Sequence, residues 1–122
     1  MNNPVNWFEI ATKDLERAKA FYTAVFKRTF QLIEMPDSKM YMFEGGPSGN
    51  GSGGALISSS QNTPSTDGTI VYFTCEDAAI ESSKVESAGG KLILPKTSIG
   101  EFGFIAQGID TEGNRIGFHS RK

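Results

Sequence analysis

The sequence repeats itself once, and this repeat limits the folds that the chain can adopt. Asp14 and Asp77 each stand between an alternating apolar run and a helical run, 63 residues apart. At this offset the apolar positions of the two halves coincide: Phe8 with Val71, Ile10 with Phe73, Leu15 with Ala78, Tyr22 with Val85, Val25 with Ala88 and Phe30 with Ile93. A half of roughly 55 residues buries too little surface to be stable alone. Two halves that share one sheet would solve this problem.

Each half is predicted to contain a strand, a helix and three further strands. The first module (4–57) has strands at 5–11, 29–34, 39–44 and 55–57 and a helix at 15–26. The second module (68–122) has strands at 69–75, 91–94, 102–109 and 115–120 and a helix at 78–88, which Gly89-Gly90 ends. The polar residues 58–67 form a linker. The predicted fold class is α+β, with two βαβββ modules curving one mixed sheet around a cleft within a single domain, 1–122.

Composition excludes several functional classes. The chain has 122 residues and a net charge of −2, and no basic face that would indicate nucleic acid. No apolar run is long enough to span a bilayer, and the N-terminus lacks the features of a signal peptide. The single cysteine, Cys75, predicts a buried apolar residue and a reducing cytoplasm. Gly49–Gly54 matches a dinucleotide motif only by spacing, because it does not join a strand to a helix.

The last strand indicates where a ligand would bind. Asp110 to Asn114 form a predicted turn, after which Ile116 and Phe118 point to the helices. The residues between these apolar positions point to the opposite face of the sheet, and that face is predicted to be too polar for a second core. A pocket is therefore expected on that face, with Gly117 as its floor and the following residues around it: Trp7, Glu9, Tyr72, Phe104, Arg115 and His119.

Several of these residues have more than one reading. Glu9 is either a general base or a partner in a salt bridge to Arg115, Lys96 or His119. His119 is an acid–base group, a ligand contact, or a histidine at the rim that hydrogen-bonds a neighbour. Lys96 lies in a segment that could reach an anionic group of a ligand, and is otherwise a surface lysine. The residues 45–54 form either a flap over the cleft or a hairpin loop.

Three segments resemble the vicinal oxygen chelate superfamily of glyoxalases, extradiol dioxygenases and bleomycin-resistance proteins. They are VNWFEIATKDLERAKAFYTAVF (5–26), GTIVYFTCEDAAIESSKVESAGGKLILPKT (68–97) and IGEFGFIAQGIDTEGNRIGFHS (99–120). The resemblance implies a half-open barrel and a homodimer. It also implies a metal site in some relatives, at positions that here hold Trp7, Gly54 or Ala55, Ile70 and Gly117. None of these residues can ligate a metal, so neither a metal nor another cofactor is expected.

The residues and the resemblance leave three functions open. The first is a binding protein that holds a small organic molecule in an aromatic cleft by contacts from Trp7, Tyr72, Lys96, Phe104 and Arg115. The second is a metal-independent lyase or isomerase in which Glu9 and His119 perform acid–base chemistry. The third is a glyoxalase or dioxygenase in the strict sense, which would require a metal.

Overall fold

The computed structural model describes residues 3–45 and 50–122, and each half of the described chain forms one four-stranded sheet covered by a helix. The first half contains β1 (Trp7–Ala11), α1 (Leu15–Phe26), β2 (Phe30–Met35), β3 (Ser38–Phe43) and β4 (Gly53–Ser59). The second half contains β5 (Val71–Thr74), α2 (Ala78–Ser82), β6 (Lys91–Ser98), a 3₁₀ turn (Gly100–Phe102), β7 (Phe104–Ile109) and β8 (Arg115–Ser120). None of the described helices is long and apolar enough to cross a membrane.

Both sheets have the same topology, which confirms the predicted fold class. Their strand orders are β1-β4-β3-β2 and β5-β8-β7-β6, and in each sheet the first strand runs parallel to the last. β1 and β5 are therefore edge strands in equivalent positions. They do not pair with one another in the described chain, so the modules contribute two sheets and not one continuous one.

Two elements of the second module differ from the prediction. α2 ends at Ser82, not Ala88, and the residues after it form turns in which Ser83 and Ser87 hydroxyls bond the carbonyls three residues back. β6 was predicted to stop at Pro95 but continues to Ser98. An edge strand tolerates proline because the backbone N–H groups on its outer side have no partner strand. The register between β6 and β7 also shifts on both sides of Leu94.

The main core lies between the helices and the sheets and joins the two modules. Phe26, at the end of α1, stacks on Phe73 of β5 at 4.3 Å between ring centroids and on Phe118 of β8 at 5.4 Å. Phe8 of β1 meets Phe73 edge to face at 6.2 Å. Cys75 is buried in the same cluster, as predicted. Because these contacts cross the module boundary, neither half completes its core alone.

The opposite face of the first sheet carries a second apolar cluster, which corrects the prediction that this face is too polar. Met40, Ala55 and Ile57 are buried there against Trp7 and Ile33. The prediction considered only the residues of β1, β5 and β8 that point away from the helices. The apolar side chains come from the inner strands β3 and β4, whose facing direction depends on register.

Candidate functional site

A cavity with a volume of about 700 Å³ lies between the edge strands β1 and β5. It reaches the C-terminal end of α1 and residues 50–53 at the start of β4. Six aromatic side chains line it: Trp7, Phe8, Phe26, Phe43, Tyr72 and Phe73. The cavity thus lies at the predicted junction of the two modules, and two of the predicted residues, Trp7 and Tyr72, line it.

The aromatic rings approach the cavity from two sides. Side chains alternate along a strand, so Phe8 and Phe73 face the helices, whereas Trp7 and Tyr72 face the opposite way. Phe8 and Phe73 belong to the core beneath the helices, while Trp7 packs with the second cluster. Tyr72 is 42% exposed. A ligand in the gap would therefore have aromatic surface both below and above it.

Tyr72 fills the space that Gly117 leaves on the neighbouring strand. The two residues are paired in the β5–β8 register, and a Cβ atom on Gly117 would lie 2.3 Å from the Tyr72 ring. The Tyr72 hydroxyl accepts a 2.6 Å hydrogen bond from Nε2 of Gln107, whose Oε1 lies 3.4 Å from a guanidinium nitrogen of Arg115. Gly117 is thus covered by a ring and is not an open floor.

Glu9 and Arg115 line a second, smaller cavity of about 240 Å³ near the linker. Glu9 accepts a 3.3 Å hydrogen bond from the Trp7 indole, and no ion pair involves it within the described chain. Arg115 donates from Nε to the carbonyl of Thr66 at 3.2 Å. The arginine therefore holds the linker against β8. Glu9 does not line the aromatic cavity, although Thr69 and Val71 border both cavities.

His119 lies on the predicted face but lines neither cavity. In the register it stands opposite Thr74 on β5 and Ile105 on β7. Its ring Nε2 lies 2.7 Å from the carbonyl oxygen of Phe102, so this nitrogen carries the proton and donates it. Of the three expected roles, this hydrogen bond corresponds to that of a histidine bonded to a neighbour.

Lys96 and Phe104 lie on the helix side of the second sheet and are not brought to the cleft. Phe104 shares its facing direction with Ala106, a core residue. The Lys96 ammonium lies 4.5 Å from the centre of the Phe104 ring and 2.8 Å from Asp77, the N-cap of α2. That ion pair and the Ala79 backbone N–H lower the pKa of Asp77. Either facing direction of β7 was apolar in sequence, so the direction of Phe104 could not be predicted.

An ion pair stands at one edge of the aromatic cavity. Arg28 and Glu44 line it and lie 3.5 Å apart, and the Thr29 hydroxyl donates to Glu44 at 2.9 Å. The Thr29 hydrogen bond, more than the arginine, lowers the pKa of Glu44. Of the glycine-rich segment, Gly45 and residues 50–53 border the cavity, while 46–49 lie outside the described residues. The choice between a flap and a hairpin loop therefore stays a prediction.

The positions that the resemblance carries over from metal-binding relatives hold no ligating side chain here. Of the two alternatives for the second position, Gly54 faces the Phe8 ring on the helix side and Ala55 pairs with Glu9. The other three positions that the resemblance implies hold Trp7, Ile70 and Gly117. None of these side chains supplies a donor atom for a metal. Across the described residues, no three His, Cys, Asp or Glu side chains gather as a metal site requires.

Sequence reasoning missed some residues at the site. Phe26, Arg28 and Phe43 line the aromatic cavity, and Gln107 bonds the Tyr72 hydroxyl. The predicted helix 15–26 included Phe26, but the apolar stripe assigned to that helix ended at Val25, so the contact of Phe26 with the second module was not expected. Gln107 could have been identified only from the register of β7 with β8, in which it pairs with Gly117.

Known proteins share this fold at low sequence identity. Residues 5–46 match the family model of the bleomycin resistance protein-like N-terminal region. Among solved structures, a glyoxalase I mutant from Zea mays superposes with a TM-score of 0.76 at 18% identity, covering 97% of this chain and 47% of that one. The chain thus spans about half the length of the maize enzyme. No curated protein sequence matches it significantly.

Two further structures match along nearly their whole length. A glyoxylase/bleomycin resistance protein/dioxygenase domain from Frankia has a TM-score of 0.75 at 13% identity, with both chains covered completely. A hypothetical protein from S. aureus has a TM-score of 0.67 at 21% identity, covering 98% of this chain and 95% of that one. The resemblance predicted from the sequence is confirmed: this chain has the fold of the vicinal oxygen chelate superfamily, which glyoxalases, bleomycin-resistance proteins and dioxygenases share.

Proposed function

We propose that the protein binds a small, mainly apolar organic molecule in the cavity between β1 and β5. The observation that carries the proposal is the cavity of about 700 Å³ lined by six aromatic side chains. Small-molecule sites usually measure roughly 300–1,000 Å³ and are lined by apolar and aromatic groups. Trp7 and Tyr72 are the predicted residues that contribute, and Gly117 supports the site by accommodating the Tyr72 ring.

The alternative of acid–base catalysis by Glu9 and His119 has less support. A general acid and a general base must reach the same substrate. Glu9 borders the smaller cavity, His119 borders neither, and the protonated nitrogen of His119 is bonded to a backbone carbonyl. Binding without turnover is therefore the function that this geometry favours.

A pair of matched substitutions tests the proposal. Ile70 lines the cavity, whereas Ile80 is 54% exposed on α2, away from it. We expect Ile70→Glu to weaken binding of the neutral probe N-phenyl-1-naphthylamine at least tenfold, because a carboxylate in an apolar wall must be desolvated. Ile80→Glu should change binding less than twofold. Binding would be measured by probe fluorescence and by quenching of Trp7, the single tryptophan. Equal effects of the two substitutions would mean that the ligand binds elsewhere.

We also propose a homodimer in the cytoplasm, as the family resemblance and the lone cysteine suggest. Light scattering at micromolar concentration should give twice the chain mass of 13.2 kDa, and a monomer would contradict the proposal.

A further inference from the structure

The strands on both sides of the aromatic cavity have free backbone edges. In a parallel pair, alternate residues direct their N–H and C=O groups to the partner strand, and the residues between them direct both groups away. Thr12 donates to Ile57 and Asn6 accepts from Gly53, so the even-numbered residues of β1 pair with β4. The backbone groups of Trp7 and Glu9 consequently point to the outer edge of the strand.

The same reasoning applies to β5. Cys75 donates to the carbonyl of His119 at 2.7 Å, so the odd-numbered residues pair with β8 and the backbone of Tyr72 and Thr74 points outward. The far end of the gap is closed, because the Asn114 side chain donates to the carbonyl of Ala11 at 2.8 Å. Within the described chain, no strand pairs along either edge. Trp7, Tyr72 and Thr74 line the aromatic cavity, so their backbone donors and acceptors are available to a ligand.

The shape of this gap favours a flat molecule. A planar ligand that lies between the edges would contact Phe8 and Phe73 on its helix side. Because these two rings stand at 85° to one another, it would stack on one and meet the edge of the other. Trp7 and Tyr72 would contact its other side. Its rim would then meet a strand edge. An unpaired strand residue presents N–H and C=O side by side, which matches the adjacent C=O and N–H of a lactam or imide.

The charges at the cavity favour a neutral ligand. Arg28 and Glu44 are the charged side chains that line it, and they form an ion pair with one another. Glu44 is also bonded by the Thr29 hydroxyl. An anionic ligand would have to compete with Glu44 for the arginine, and a cationic ligand would have to compete with the arginine for Glu44. The charged side chains that line the cavity therefore have no net charge.

We infer that the cavity takes an uncharged planar heteroaromatic molecule with a lactam- or imide-type edge, which pairs with the free backbone of Trp7 or Tyr72. The inference rests on the proposed function and deepens it by naming the ligand class. The aromatic rings provide apolar contacts on both faces of such a molecule. The strand edge provides the selectivity, because the backbone groups must find partners when an apolar ligand displaces their water.

Four bicyclic probes of nearly equal size test the inference on the whole protein. They are isoquinolin-1(2H)-one, its N-methyl derivative, naphthalene and 1-naphthoate. Dissociation constants would be measured by calorimetry, and amide shifts by ¹H–¹⁵N correlation spectra. We expect the lactam to bind at least tenfold more tightly than the N-methyl derivative and naphthalene, with 1-naphthoate no tighter than naphthalene. The amide proton of Trp7 or Tyr72 should shift downfield with the lactam only.

The outcomes separate this inference from the proposed function. If naphthalene binds, and Ile70→Glu weakens it, but the lactam gains nothing over its N-methyl derivative, then the apolar site exists and the edge recognition is overturned. Tightest binding of 1-naphthoate would overturn the neutral class and point to Arg28. If none of the probes binds, the inference fails, and so does the proposed function when N-phenyl-1-naphthylamine does not bind either.

Discussion

At the scale of single residues, Gly117 shows how a missing side chain shapes the site. The Tyr72 ring lies where a Cβ atom on Gly117 would be, at 2.3 Å. We expect Gly117→Ala to push the ring outward and break its hydrogen bond to Gln107, which costs about 1–3 kcal/mol of unfolding free energy. Urea unfolding of the two proteins measures this difference.

A double-mutant cycle identifies the cause of that loss. In a Tyr72→Ala background the ring is absent, so Gly117→Ala should be neutral or stabilising by up to about 1 kcal/mol. An equal cost in both backgrounds would show that the strand itself, and not the ring, excludes a side chain at Gly117.

The sequence pattern singled out Gly117 as a position without a side chain, but it did not reveal that the Tyr72 ring covers this position. The alternation of Arg115, Gly117 and His119 along β8 was enough to assign a common face. The residue that covers Gly117 depends on the β5–β8 register, because a shift by one residue would set Tyr72 beside a different partner. Strand register depends on long-range contacts and cannot be read from local sequence. For this reason the sequence predicted an open floor at Gly117, whereas the Tyr72 ring covers it in the structure.

At the scale of elements, the turn between β7 and β8 fixes the start of α1 in the other module. The buried Glu112 carboxylate accepts from the backbone N–H groups of Lys13 and Asp14, each at 2.7 Å, and from the Arg17 side chain at 2.8 Å. In the same turn, Asp110 accepts a 2.6 Å hydrogen bond from the Tyr22 hydroxyl. The turn thus supplies partners for amide groups that a helix start leaves unpaired.

This arrangement makes stability depend on pH in a defined window. Burial alone would raise the pKa of Glu112, but the hydrogen bonds from Arg17, Asp14 and Lys13 outweigh it and hold the pKa at about 2, against an ordinary 4.5. The folded state therefore favours the carboxylate, by up to about 3 kcal/mol at neutral pH. This contribution is complete above the ordinary pKa and is lost as the pH falls through about 2.

Glu112→Gln tests that dependence. The substitution should lower the free energy of unfolding most at pH 7. Near pH 2.5 the difference in unfolding free energy from the wild type, measured by urea unfolding, should shrink to about 1 kcal/mol or less. Glu101→Gln, at an exposed glutamate in the 3₁₀ turn, is the matched control and should have little effect at either pH. A difference that stays constant with pH would assign the role of Glu112 to packing and not to its charge.

Elements were predicted best where local signals agreed. α1 matches its predicted bounds, because the Asp14 side chain caps it and the apolar stripe continues to Val25. α2 was predicted too long because Ala88 continues the apolar spacing. In the structure the Ser83 and Ser87 hydroxyls bond the carbonyls of Ile80 and Lys84 and so compete with the helical hydrogen bonds around Ser82. The bounds of β6 depended on whether the strand is at an edge, which Pro95 alone does not reveal.

At the scale of the whole molecule, the repeat predicted the architecture, and the contacts across it determine the site. The offset between Asp14 and Asp77 was sufficient to predict two modules and a cleft. The sequence could not show that the cleft would be a gap between two edge strands with Phe8 and Phe73 beneath it. That arrangement results from packing of Phe26 against the second module, a long-range contact without a local signal.

The shared core predicts that both modules unfold together, and the chain contains one natural probe in each. Trp7, the only tryptophan, reports on the first module by its fluorescence, and Cys75, the only cysteine, reports on the second by its reaction with a thiol reagent. Cys75 is buried, and burial raises the pKa of its thiol to about 12, so the native protein should react very slowly at neutral pH. On unfolding, the thiol becomes accessible and its pKa returns toward the ordinary range.

We expect the urea midpoints of the two probes to coincide, since the Phe8, Phe26 and Phe73 contacts and the Tyr22–Asp110 hydrogen bond must break for either module to open. Tyr22→Phe removes the hydroxyl and leaves the Asp110 carboxylate buried with one partner fewer, so it should lower both midpoints by the same amount. Trp7→Phe provides the fluorescence blank, and Cys75→Ser the reactivity blank. If Cys75 became reactive at a lower urea concentration than the Trp7 transition, the second module would open independently. The cavity between β1 and β5 would then depend on an equilibrium between docked and separated modules.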